Sequence, residues 1–413
     1  MNAISRRGVA LLCCGAAALL IGTPALAQTV VKVGLVLPFS GAGNDTVERE
    51  EQAMRLYMKQ HASELGGIRI EIIKRDSKEP SGATARELIR ELITRDNVDI
   101  ILAGQFSPDA IAAAPIVTQA KKLMILVNAQ ASFITNLSPY IVRVSAASWQ
   151  IAAPMGRYAV EKLGCKKTVV GFTDYAPGRD VAAAFKNAYE KAGGTLADSI
   201  PMGSPAAVPD FTPFLRRIRD QNPDCMYIFT PGGPFTIALA RTYQDLKMAE
   251  TGVRFMGTGD ATQDSLLSQF GGQALGWMSG GQYTADLATP ENKRFVAAWQ
   301  AEYGKDSVPD YFAVHGYDAM AAVFHVVKTL NGKIDADKAV AALKGWKHAS
   351  PRGPILIDPA TRDIVQNIYV QRVVKVGDRF GMEVLDTIAA VKDPCKELAV
   401  GPCAPPPAAS APK

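Results

Sequence analysis

Histidine is scarce here, with four residues in a chain of 413. His315 and His325 fall on one apolar helical stretch, too far apart for adjacent metal ligands, and no His-Glu-x-x-His run occurs. A Walker loop and a Gly-x-Ser-x-Gly elbow are missing too. Gly41-Ala-Gly43 and Gly257-Thr-Gly259 lack the third glycine of a dinucleotide fingerprint. Without a nucleophile, metal or nucleotide motif, no enzymatic activity and no cofactor are expected. Nor does one sign of charge prevail: 45 Lys and Arg face 40 Asp and Glu, dispersed along the chain, so nucleic acid is not an expected partner. Past residue 27 no apolar run approaches the roughly 20 residues of a membrane span.

The first 27 residues read as an export signal. Arg6-Arg7 precede an apolar run from Val9 to Ile21, and Ala25-Leu-Ala27 forms a small-residue cleavage site. Cleavage after Ala27 would place the mature chain in the periplasm. Ser5-Arg6-Arg7 carries part of a twin-arginine pattern without its aromatic, so ordinary secretion is the expectation. Outside the cytoplasm cysteines can pair: Cys395 and Cys403 could close a short loop, while the pairing of Cys165 and Cys225 stays open.

What remains is longer than one comfortable core. From Val31, short β-branched runs alternate with helical stretches, the pattern of βαβ units and parallel sheets. Strands are expected at Val31–Leu37, Ile68–Ile73, Val98–Ala103 and Leu123–Val127, then, after Tyr140–Val144, at Thr168–Phe172, Leu196–Pro201, Cys225–Phe229 and Arg254–Gly257. Three helices and a few late strands follow, too few strands for a third unit. The expected fold class is therefore α/β, two Rossmann-like lobes joined by a three-strand hinge. Residues 28–145 plus 281–350 would form lobe 1 and 146–280 plus 351–392 lobe 2. The tail is 393–413. The crossings would lie near Val144-Ser145, Gly280–Tyr283 and Ser350–Gly353.

Ligands of open α/β sheets bind beyond the carboxyl ends of strands. One such loop, Gly104-Gln-Phe-Ser-Pro-Asp109, runs into an Ala-rich helix with Ser107 as the expected N-cap and Pro108 at the first helical position. Ser107 could simply cap its helix. Alternatively, the helix start offers N–H groups and a positive dipole end to a carboxylate. Ser132 repeats the arrangement one strand later.

These segments together resemble the type I periplasmic solute-binding proteins of ATP-driven importers, the leucine/isoleucine/valine-binding group. The carriers are Val33–Gly41, Gly104–Ser107, Ala129–Ser132, Asp174-Tyr175 with Gly178, Phe255-Met-Gly257 and Gly316-Tyr-Asp-Ala319. The resemblance implies the type I periplasmic binding protein fold, a monomer, a small-molecule ligand and an inner-membrane ABC permease as partner. It also implies ligand contacts from Ser107 and Ala131-Ser132 to a carboxylate, from Tyr175 and Phe235 of the second lobe as aromatic walls, and from Asp260 to an amino group. Asp260 is shorter than the family's usual Glu and one place late. Gln105-Phe106 and Asn128-Ala-Gln130 also depart from the common amino-acid loops, which widens the expected ligand to an aromatic or aliphatic carboxylate or an amide, with Phe106, Phe235 and Tyr283 as ring contacts. A sensor of an amide or amino acid is the alternative on the same fold, and a secreted α/β enzyme stands behind both.

Overall fold

The computed structural model describes residues 29–41 and 44–404. The export signal expected at 1–27 and the end of the tail lie outside the described residues. In the first lobe, β1 (Val30–Leu37), α1 (Asn44–His61), β2 (Arg69–Asp76), α2 (Gly82–Thr94), β3 (Ile100–Ala103), α3 (Ser107–Ala120), β4 (Leu123–Leu126) and β5 (Ile141–Arg143) follow one another. Their sheet has the order β2-β1-β3-β4-β5, with every pairing parallel. Helices cover both faces. That is why β3 (Ile-Ile-Leu-Ala) and β4 (Leu-Met-Ile-Leu) are buried at every position instead of alternating. Leu35, Leu102 and Ile125 enter the core on one face, and Ile101, Met124 and Leu126 meet α2 and α3 on the other.

The second lobe repeats the scheme with α4 (Ser148–Glu161), β6 (Lys167–Phe172), α5 (Ala176–Lys191), β7 (Thr195–Pro201), α6 (Thr212–Asp220), β8 (Cys225–Phe229), α7 (Pro234–Asp245), β9 (Arg254–Thr258), α8 (Leu267–Phe270) and β10 (Met278–Gly281). Strands β10-β9-β8-β6-β7 are parallel neighbours. Cys165 and Cys225, left open by the sequence, form a disulfide with their Cα atoms 5.9 Å apart.

Helices α9 (Pro290–Tyr303), α10 (Tyr311–Thr329) and α11 (Ala336–Leu343) come next. Helices α10 and α11 seat Met320, Val323, Val327 and Leu343 in the first lobe's core. Helix α10 lies so close to α1 that a Cβ at Gly316 would meet the Glu50 carbonyl at 2.1 Å. The chain ends through β11 (Lys347–Ser350), β12 (Gly353–Ile357), β13 (Ile364–Val376), β14 (Arg379–Val391) and α12 (Pro394–Glu397). The last crossing is later than the expected Ser350–Gly353. Ile355, Ile357 and Ile364 pack in the first lobe, and Val370 and Val373 in the second, so β13 itself passes between lobes. Fully buried Arg352 ties the crossing segments together: it donates to Asp318 at 2.8 Å, to the Val144 carbonyl at 2.5 Å and to Gln366 at 2.9 Å. Among the described residues no helix is long and apolar enough to cross a membrane.

Candidate functional site

The strand ends of the two lobes face each other, and their loops build the site. After β3 the chain turns at Gly104, whose φ of +84° favours glycine, and a Cβ there would sit 3.0 Å from Leu126. Helix α3 begins one residue earlier than expected. Phe106 is the N-cap, with extended backbone and no side-chain cap, so Ser107 does not cap its own helix. Its hydroxyl instead accepts the Ala131 N–H at 3.2 Å, stitching the loop after β3 to the loop after β4. Gln105 is buried, and with its amide nitrogen turned inward it donates to both carboxyl oxygens of Glu50 at 3.0 and 3.1 Å. Full burial pushes Glu50 well above the usual carboxyl range, with Asp310 adding to the effect. Asn128 donates to the Gln105 carbonyl at 3.0 Å.

Across the cleft, half-buried Tyr175 precedes α5 and stacks on Phe229 with ring centroids 6.0 Å apart. Gly178 permits this turn, because a Cβ there would lie 1.9 Å from the Thr173 carbonyl oxygen. Phe235 opens α7 behind Gly232-Gly233. Asp260, in a turn after β9, accepts the Thr258 hydroxyl at 2.8 Å and the Tyr311 hydroxyl at 2.7 Å, and Gln130 adds a further hydrogen bond. Burial raises its carboxyl above the ordinary range. Tyr311 and Gln130 belong to the first lobe, so this carboxyl is bonded across the cleft. Asp310 does the same in reverse, accepting Gln263 at 2.8 Å and Ser265 at 2.7 Å.

Between these walls lies a cavity of about 330 Å³. Gln105, Phe106, Ser107, Tyr175, Phe235 and Asp260 all line it. Ala131 and Ser132 do not: the Ala131 N–H is held by Ser107, and the Ser132 N–H by Asp180 at 2.9 Å. Those donors, expected to meet a carboxylate, already have protein acceptors. Tyr283 is also elsewhere, buried edge-on against Phe295.

Sequence reasoning missed the apolar loop Pro205-Ala-Ala-Val208 and Phe312, which complete the wall. The loop follows β7, so the strand-end rule applied to every strand would have found it. Phe312 gave no signal, since its helix reads as continuous core. Asn128 and Gln130 line the same cavity, and the buried Oδ1 of Asn128 and Oε1 of Gln130 have no hydrogen-bond partner. The uncharged polar side chains Thr46, Gln105, Ser107, Asn128 and Gln130 thus gather on the first lobe's side, while rings come from both lobes, Phe106 and Phe312 from the first and Tyr175 and Phe235 from the second. No grouping of His, Cys, Asp or Glu among the described residues could hold a metal.

Three comparisons bear on this arrangement. A family model described as periplasmic binding protein matches residues 30–378. The Leu/Ile/Val-binding protein homolog 6 of Brucella melitensis is 36% identical over 349 residues, covering 84% of this chain and 89% of the relative. Among solved structures, a solute-binding protein of an ABC transporter from Rhodopseudomonas palustris BisB5, in complex with 3,4-dihydroxybenzoic acid, is 40% identical with a TM-score of 0.85, covering 89% of this chain and all of that one. A second from R. palustris, in complex with 4-hydroxybenzoate, is 33% identical with a TM-score of 0.83, covering 88% of this chain and 98% of that one.

Proposed function

This chain belongs to the type I periplasmic binding proteins of the Leu/Ile/Val-binding group, the substrate-binding proteins of ABC transporters, and from that premise we propose that its cleft captures a single-ring aromatic carboxylate. The observation that carries this reading is the state of Asp260. An α-amino acid needs a buried carboxylate for its ammonium group. Asp260 already accepts Tyr311 and Thr258, and Gln130 adds a third bond, so three of the roughly four lone-pair sites of this carboxyl are taken by the protein and little is left for an ammonium group. What the cavity offers instead is apolar wall from Phe106, Phe235, Phe312 and the prolines, with volume at the small end of ligand pockets.

In this reading the ligand carboxylate lies at the start of α3, where Ser107 and the uncapped first turn supply the favourable dipole end. The free oxygens of Gln130 and Asn128 accept ring hydroxyls. The benzoate-type ligands of the two R. palustris proteins support this chemistry. Hinge closure brings Tyr175 and Phe235 over the ring, and the closed monomer delivers its cargo to an inner-membrane permease. The working place would be the periplasm, after cleavage at Ala27.

A thermal-shift panel tests the proposal. Benzoate, 4-hydroxybenzoate, 3,4-dihydroxybenzoate, leucine and valine are each offered at 100 times a micromolar Kd, where binding adds about 2.7 kcal/mol to stability. The hydroxybenzoates are expected to raise the melting temperature and the aliphatic amino acids to leave it unchanged. The converse pattern would return the site to branched-chain amino acids, the reading favoured by the name of the Brucella relative.

A further inference from the structure

The loop from Asn128 to Ser132 carries the polar side of the cleft, and its anchor lies behind it. Arg143, at the end of β5, is fully buried and donates to the carbonyls of Ala129 at 2.5 Å and Ala131 at 2.6 Å. Its Nε donates to Asp363 at 2.8 Å. The other oxygen of Asp363 receives the ammonium group of Lys396, which also bonds Thr135. Lys396 belongs to α12, four residues that add no strand to either sheet, and yet its side chain is only 6% exposed.

Burying an ammonium group in a short surface appendage is unfavourable through lost solvation unless its partner geometry is held in place. Two devices hold it. Asp393 caps α12 by accepting the Cys395 N–H at 3.1 Å, and the Cys395–Cys403 disulfide closes the segment with Cα atoms 5.6 Å apart. The path from this closed loop to the cleft is continuous: cystine, Lys396, Asp363, Arg143, then the Ala129 and Ala131 carbonyls on either side of Gln130.

We propose that the C-terminal segment Asp393–Cys403 is a positioning element of the ligand site. Its disulfide keeps Lys396 on Asp363, Asp363 orients Arg143, and Arg143 sets the backbone that presents Gln130 to the cleft and Ala131 to Ser107. None of these groups touches the ligand. The effect on affinity rests on the cleft reading above, whereas the effect on the loop does not.

The test therefore has two readouts on the mature protein: hydrogen exchange at Ala129–Ser132 without ligand, and affinity for 4-hydroxybenzoate. Lys396→Met and the pair Cys395→Ala/Cys403→Ala are expected to speed exchange at this loop at least tenfold and to weaken the probe about tenfold, with α2 exchanging as before. Lys396→Arg should restore both, since it keeps the cation. Unaltered exchange in Lys396→Met, or equal behaviour of the Met and Arg variants, would overturn the proposal. Should the wild-type protein not bind 4-hydroxybenzoate, the cleft reading falls, and the exchange comparison still decides the positioning role.

Discussion

Replacing Tyr311 by Phe removes one hydroxyl whose partner lies on the opposite lobe, the Asp260 carboxyl at 2.7 Å. A net hydrogen bond contributes about 1 kcal/mol between neutral groups and about 1.5–3 kcal/mol to a charged one. The lower end of the charged range, about 1.5 kcal/mol, is taken for this buried bond. Thr258 and Gln130 keep Asp260 partnered in the variant, so no further penalty for an orphaned carboxyl is added. The bond spans the cleft, so under the hinge closure proposed above it is made as the lobes come together. The whole loss then falls on the closing equilibrium. A change of about 1.5 kcal/mol shifts that equilibrium, and the affinity of any ligand that requires closure, by roughly tenfold. Calorimetric titration of both proteins with 4-hydroxybenzoate measures the affinity, and small-angle scattering of the ligand-free forms measures closure. A Kd within twofold of wild type and identical scattering would refute the reasoning.

Three further outcomes are expected. Cys165→Ala/Cys225→Ala opens a link between residues 60 apart in sequence and should lower stability by about 4 kcal/mol in denaturant titrations. Asp264 accepts Thr284 and the Ala285 N–H, and burial raises its carboxyl to about 8. Because the folded state keeps this proton while the unfolded state releases it near pH 4, the group costs stability increasingly from about pH 4 to about pH 8. Asp264→Asn, which keeps the acceptor and cannot ionise, should gain on wild type across that window and level off above it; parallel pH profiles would refute this. Gly178→Ala drives a Cβ against the Thr173 carbonyl, so the turn carrying Tyr175 must shift. About 1–3 kcal/mol of stability should be lost, and ligand affinity with it, read by thermal melts and titration.

Much of the fold was legible because buried parallel strands are short apolar runs, and Ile100–Ala103 and Cys225–Phe229 announce themselves. Strand β14 did not: only Met382–Val384 was expected of its thirteen residues, since it alternates weakly and is half exposed. Strand β10, Met-Ser-Gly-Gly, lacks any β-branched residue and owes its conformation to pairing with β9 and β13. At the site, strand-end loops pointed to Gln105, Phe106 and Ser107 directly. The hydroxyl of Ser107 could not be followed from sequence, because its partner lies on the next loop. Asp260 was legible as a carboxyl at a strand end, whereas its engagement by Tyr311 depends on how the two lobes meet.

The most direct test of the central claim is a calorimetric titration of the mature protein with 3,4-dihydroxybenzoate and, separately, with leucine. Saturable binding of the dihydroxybenzoate at one site, weakened in Phe235→Ala, is expected, with no heat from leucine. Tight binding of leucine with none of the aromatic acid would contradict it, and would mean that Asp260 gives up Tyr311 to hold an amino group.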